Sequence, residues 1–143
     1  ACDFRIVTRC AQLSLPEMKI GMIPGSGGSV RLSRMIGLSR VKDMIMRGKR
    51  ISGEEAYNYG LASEVVEIND LESATKNLVK ELCLVSPLAQ RAIKTVLNAS
   101  QDAPLHVAIE LEGETYGRLR SSSDFKEGVK SFVEKRKPVY TGQ

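Results

Sequence analysis

The stretch Leu15-Pro16-Glu17-Met18-Lys19-Ile20-Gly21-Met22-Ile23-Pro24-Gly25-Ser26-Gly27-Gly28 sets a carboxylate just ahead of a glycine loop that opens a helix. Its segment Gly21 to Gly28 is too rich in Gly and Pro to be regular structure and reads as a loop. Glycine N–H groups can approach a ligand with no Cβ in the way, and the helix start beyond them adds a positive partial charge that favours an anion or a polarised water. Glu17, set among Leu15, Met18 and Met22, is the candidate acid/base group if apolar neighbours desolvate it. A solvated carboxylate beside a plain turn would look the same from these residues alone. The loop lacks the closing Gly-Lys-Ser/Thr of a phosphate-binding P-loop and has no clean G-x-G-x-x-G, which disfavours a nucleotide motif.

Working outward, Phe4, Ile6 and Thr8 alternate with Arg5, Val7 and Arg9, and Ala11, Leu13 and Leu15 resume the alternation, so two short strands are expected before Pro16. After the loop, Val30 to Ile36 reads as a short helix stopped by Gly37, and Val41 to Met46 as another stopped by Gly48. Ser52 and Glu55 form an S-x-x-E capping box at the start of a helix that ends at Gly60. Val65 and Val66 suit a short strand. Asp70 is expected to cap a helix carrying Leu71, Ala74, Leu78, Leu82 and Val85. Ser86-Pro87 restarts the chain as a helix with Leu88, Ala92, Ile93, Val96 and Leu97 on one face. Leu105, Ala108, Ile109, Tyr116 and Leu119 stripe the next helix, and Asp124 with Glu127 opens the last, which carries Phe125, Val129, Phe132 and Val133. These helices are amphipathic, and the two opening strands alone are a poor platform for them. The chain also opens abruptly on Ala-Cys-Asp without Met, so a missing upstream partner segment is expected.

Composition narrows the class. With 143 residues, 42% apolar and 27% charged, the chain has the make-up of a soluble globular protein. No apolar run approaches the roughly 20 residues needed to span a bilayer. Cys2, Cys10 and Cys83 are odd in number with no CxxC, and His106 is the lone histidine, so neither a metal site nor a disulfide framework is expected. A reduced, intracellular setting follows, with the cysteines read as buried small residues and Met35, Met44 and Met46 as core filler. His106 is read as structural or surface. A net charge of +4 admits phosphate-bearing partners, yet no basic stretch is interleaved with aromatics, so nucleic acid is not the expected partner.

The Leu15–Gly28 stretch resembles the signature "LPE-x-x-x-G-x-IPG-x-GG" of the enoyl-CoA hydratase/isomerase (crotonase) superfamily. Four more segments are similar to that family, in its order: Ala1-Cys2-Asp3 with Arg5; Ser52-Gly53-Glu54-Glu55-Ala56 followed by Gly60-Leu61-Ala62 and Val65-Val66; Ser86-Pro87-Leu88-Ala89; and Asp124-Phe125-Lys126-Glu127-Gly128 with Phe132 and Glu134 to Pro138.

The resemblance implies an α/β fold of the ClpP/crotonase type, built of ββα spiral turns. Residues 1–66 would be the carboxyl-terminal part of its core and 67–143 a helical region for trimerisation and coenzyme A contacts. It further implies an acyl-CoA thioester substrate, coenzyme A entering as part of that substrate with no separate cofactor, a homotrimer or hexamer, no membrane partner, and a cytoplasmic or mitochondrial-matrix location. Glu17 would share proton transfer with a second glutamate, Gly25 would hold the water through its N–H, and Phe132 and Lys135 would contact the nucleotide end of coenzyme A, often across a subunit boundary. The second glutamate and the oxyanion-hole amides belong to an earlier part of such proteins that would precede Ala1, so this chain alone is expected to be inactive. Hydration of an enoyl-CoA is the leading reading, isomerisation the enzymic alternative, and a noncatalytic or RNA-binding role the alternative of another class.

Overall fold

The computed structural model describes residues 1–143. Contacts divide the chain into two compact units, Ala1–Asn77 and Leu78–Gln143.

The first unit is built on four short strands. Strand β1 (Ile6–Thr8) pairs in parallel with β4 (Glu64–Val66), with Val7 opposite Val65, and β2 (Gln12–Leu13) pairs antiparallel with β3 (Ile51–Ser52). The parallel ladder is extended at both ends by Ser63 N–H donating to Arg5 O and Arg9 N–H donating to Val66 O. Between β2 and β3 lie a 3-10 turn at Glu17–Ile20, helix α1 (Gly28–Ile36) and helix α2 (Leu38–Met46). Gly37, at φ +84, separates the two helices, a conformation an L side chain would resist. Helix α2 begins ahead of the expected Val41.

Helix α3 (Gly53–Asn58) has both halves of its capping box: Ser52 Oγ accepts from Glu55 N–H at 3.1 Å, and Glu55 accepts from Ser52 N–H at 2.9 Å. The Ser52 N–H, aided by Lys49, holds the Glu55 carboxyl below the usual range. The core gathers Ile36, Val41, Met44, Ile51, Ala56, Leu61 and Ala62, with Val7, Leu13, Leu32, Ile45 and Tyr59 packed on it. Ile51 and Ala56 are fully enclosed. Strand β3 was not expected from sequence, because its two residues form a ladder only by meeting β2 across two helices. Met44 is core as expected, but Met46 and Met35 are exposed, since α2 and α1 turn them outward.

Helix α4 (Leu71–Leu82) runs on from a 3-10 turn at Ile68–Asp70, so Asp70 lies within a helical turn rather than at an extended cap. Val85 falls beyond its end. The second unit holds α5 (Pro87–Ser100), α6 (Leu105–Leu119) and α7 (Ser123–Val133). Ser86 Oγ caps α5 by accepting from Ala89 N–H at 3.1 Å, and Pro87 occupies the first turn. At α7 the cap is Ser122, which accepts from Phe125 N–H at 3.0 Å, and not Asp124. Asp124 is instead buried, at 3% exposure. Helix α6 buries none of its residues: Leu105, Ile109 and Tyr116 of the expected stripe are all exposed. The three cysteines are exposed, against the expectation of burial, and His106 is at the surface.

Candidate active site

The glycine loop is held at its root by backbone bonds. Glu17 O accepts from Met22 N–H at 3.1 Å and Met18 O from Gly21 N–H at 3.2 Å, with Gly21 in the left-handed region at φ +75. Beyond it, Ser26 (φ +54) and Gly27 (φ +78) make two successive left-handed residues, and Gly25 O accepts from Gly28 N–H at 3.1 Å. A left-handed serine is strained by roughly 1–2 kcal/mol. Arg31 holds it, donating to Ser26 O at 2.8 Å from the first turn of α1. Pro24 is buried, and Gly28 comes close to Leu15 and Pro24, so the loop folds back on the residue that precedes Pro16. Lys19 lies across Gly48, where an added Cβ would stand 2.7 Å from Lys19 Cε.

Within this frame Glu17 is half-buried, and its Oε2 is a buried oxygen with no hydrogen-bond partner. Buried polar atoms are nearly always paired, so an unpaired carboxylate oxygen marks a place where a ligand's donor would be favourable. Gly25 is exposed, nothing stands within 4 Å of where its Cβ would be, and its N–H donates to no group of the chain. The loop therefore offers a proton acceptor and a free backbone donor. No group of three or more His, Cys, Asp or Glu comes together as a metal site.

The second unit carries the other predicted pair. Phe132, in the last turn of α7, is 85% exposed. Lys135 follows the helix at φ +53 and sits in a Schellman turn: its N–H donates to Phe132 O at 3.3 Å and Arg136 N–H to Ser131 O at 3.0 Å. Arg136 is locked by a bidentate pair with Glu127, at 2.5 and 2.9 Å, and by Glu134 at 2.6 Å. Glu127 also accepts from Val139 N–H at 2.9 Å. Arg136 first, then the Val139 amide, depress the Glu127 carboxyl to about 2. Asp124 accepts from Ser86 Oγ at 2.6 Å, Thr141 N–H at 2.8 Å and Gly142 N–H at 3.1 Å, which hold it below the ordinary carboxylate range, the Ser86 hydroxyl foremost. Phe132, Tyr116, Phe125, Val129 and Tyr140 line an apolar cavity of about 450 Å³. Glu17 and Gly25 belong to the first unit, Phe132 and Lys135 to the second.

The sequence profile of the enoyl-CoA hydratase/isomerase family matches residues 1–143. The chain belongs to the enoyl-CoA hydratase/isomerase family. It superposes on the crystal structure of an enoyl-CoA hydratase from Bacillus anthracis with a TM-score of 0.96 and 37% identity, over 99% of this chain and 55% of that one. An enoyl-CoA hydratase from Geobacillus kaustophilus gives 0.93 and 36%, over 99% and 54%. Among curated proteins, the short-chain-enoyl-CoA hydratase of Clostridium acetobutylicum is 33% identical over 96% of this chain and 52% of its own length. The chain spans about half the length of these relatives. The fold is the α/β crotonase fold, with few strands and many helices. No helix is long and apolar enough to cross a membrane.

Two features of this enoyl-CoA hydratase/isomerase chain escaped the sequence. Arg5, in the opening motif, donates through its guanidinium to Leu61 O, so it ties that motif to the Gly60-Leu61-Ala62 segment. Glu127, expected to help open α7, binds the turn beyond the helix instead. Neither has a local signal, because each partner lies outside the range of helical or turn spacing.

Proposed function

We propose that this chain supplies the carboxyl-terminal half of an enoyl-CoA hydratase, in which Glu17 moves a proton and the Gly25 N–H holds the water. In that reaction the water oxygen bonds to C3 of the enoyl thioester, one of its protons is taken up by a carboxylate, and a proton is delivered to C2. The single observation that carries the reading is the buried, unpartnered Oε2 of Glu17 within a loop whose Gly25 N–H is also free. A carboxylate with an unmet acceptor is suited to receive a water proton, and an amide with an unmet donor to orient that water's oxygen. The family match and the names of the relatives support the substrate class.

The thioester oxygen gains charge when water adds, and stabilising it needs preorganised donors. We assign those donors and the second carboxylate to a segment outside these residues, and Phe132 with Lys135 to the nucleotide end of coenzyme A. A homotrimeric or hexameric assembly, with no cofactor beyond coenzyme A, belongs to the same proposal.

Hydration of crotonyl-CoA by the full-length protein, followed as loss of the conjugated thioester absorbance, tests it. Glu17→Gln keeps the shape and removes the base, and is expected to lower kcat by about 10²–10⁴ without shifting the melting temperature. Wild-type turnover of a 3-enoyl-CoA with no hydration of crotonyl-CoA would replace hydration by isomerisation.

A further inference from the structure

The basic run Lys135-Arg136-Lys137 is not a uniform solvated patch. Arg136 is engaged through Nε, Nη1 and Nη2 by Glu134 and Glu127, so its guanidinium is committed inside the chain. Lys135, one residue earlier, has a side chain with no partner and a backbone in the left-handed region. What holds it there is the turn around it. Glu127 grips that turn at two points, Arg136 and the Val139 N–H. Further along, Tyr140 OH lies 3.3 Å from where a Cβ on Gly128 would be, and Asp124 takes the Thr141 and Gly142 amides, while its own N–H donates to Gln143 O. The segment after α7 is thereby strapped to the helix, and its Tyr140 completes a wall of the cavity that Phe132 lines.

We propose that Glu127 is a positioning residue for the thioester's nucleotide end: through Arg136 and Val139 it presets the turn that presents Lys135, three residues after the cavity-lining Phe132, to a phosphate-bearing, aromatic group. The proposal rests on the assignment of Lys135 and Phe132 to that end of coenzyme A. Physically, a lysine in the left-handed region gains nothing from that conformation by itself, and an unstrapped turn would have to be ordered each time a ligand bound. Glu127 moves this ordering into folding. Its carboxylate does not touch the ligand.

The test compares Glu127→Ala, Glu127→Gln and Lys135→Ala in the full-length protein. Two readouts are used: calorimetric binding of adenosine 3′,5′-bisphosphate, and kcat and KM for crotonyl-CoA against crotonyl-pantetheine, which has no nucleotide. Glu127→Ala is expected to weaken the bisphosphate and raise KM for crotonyl-CoA by roughly three- to tenfold, the cost of re-ordering one or two side chains and a turn. Its kcat and its KM for crotonyl-pantetheine should stay unchanged. Glu127→Gln, which keeps an acceptor for Val139 N–H, should recover most of the loss. If the alanine variant does not fold, the glutamine variant carries the test, with a smaller loss confined to the nucleotide-bearing ligands. An equal change for both thioesters, or a fall in kcat, would reduce Glu127 to a purely structural role and overturn the proposal. Bisphosphate weakened by Lys135→Ala but not by either Glu127 variant would overturn the positioning role and leave the nucleotide assignment standing. If Lys135→Ala also left bisphosphate binding unchanged, the assignment itself would fall, and the positioning role with it.

Discussion

Glu17 and Lys135 show how differently single residues express themselves in a sequence. Glu17 was legible because it precedes a glycine loop, a local juxtaposition. That its Oε2 is buried and unpaired was not, because burial depends on what packs against the 3-10 turn that carries it, and α2 does so from further along the chain. Lys135 is one cation of the run Lys135-Arg136-Lys137, yet its left-handed backbone is set by the hydrogen bonds that end α7. Relieving that conformation should be measurable. Lys135→Gly is expected to raise stability by up to about 1 kcal/mol in chemical denaturation, since the strain of an L residue outweighs the extra chain entropy of glycine. It should weaken nucleotide binding at the same time. Glu127 makes a prediction about pH. Its carboxyl falls from 4.5 to about 2 on folding, so the unfolded chain binds the proton more readily. The stability it contributes is fully present above about pH 4.5 and is lost as pH falls toward about 2. Glu127→Gln should remove that part of the acid dependence, seen as a flatter dependence of the melting temperature on pH across the window.

At the scale of elements, α3 and α7 end in the same Schellman geometry with opposite residue choices. At α3 the left-handed position is Gly60, with Leu61 N–H donating to Ala56 O at 2.8 Å and Gly60 N–H to Tyr57 O at 2.9 Å. At α7 it is Lys135. The first stop was readable because glycine is the default there, whereas the second carried no such mark. The α3 capping box was readable for the same reason, being a contact between residues three apart. Ser122 and Asp124 show the limit of that logic. Both residue types suit a cap, and only the approach of Ser86 and the chain's last residues drew Asp124 inward and left Ser122 as the cap. Gly53 is a stronger case. An added Cβ would lie 2.0 Å from Thr8 O, a backbone atom at the end of β1, so α3 packs on the sheet only without a side chain there. Gly53→Ala is expected to destabilise the first unit by about 1–3 kcal/mol, read from denaturant unfolding, because backbone must move.

Over the whole molecule, the apolar surface left open is the dominant feature. Ile20, Ile23 and Met46 are exposed in the first unit, and Leu105, Ile109 and Phe132 in the second, while α6 buries nothing. Exposed apolar surface on this scale marks interaction faces. It accords with a chain that spans about half the length of its relatives. On the proposed assignment the Gly25 N–H holds the water and the donors for the thioester oxygen lie outside these residues, so a verified 143-residue polypeptide is expected to give no detectable hydration of crotonyl-CoA. Turnover by that polypeptide, with its mass confirmed, would show that these residues suffice.

The sequence by itself determined the family, the loop around Glu17 and Gly25, the α3 cap and the glycine stops, because each is a pattern written within a few residues. Tertiary structure decided the rest: the two-residue strand β3, the Arg5 grip on Leu61, the inward turn of Asp124, and the Glu127 hold on Arg136. Those depend on groups distant along the chain meeting in space, and a hydrogen bond or a buried atom is defined only once they have met.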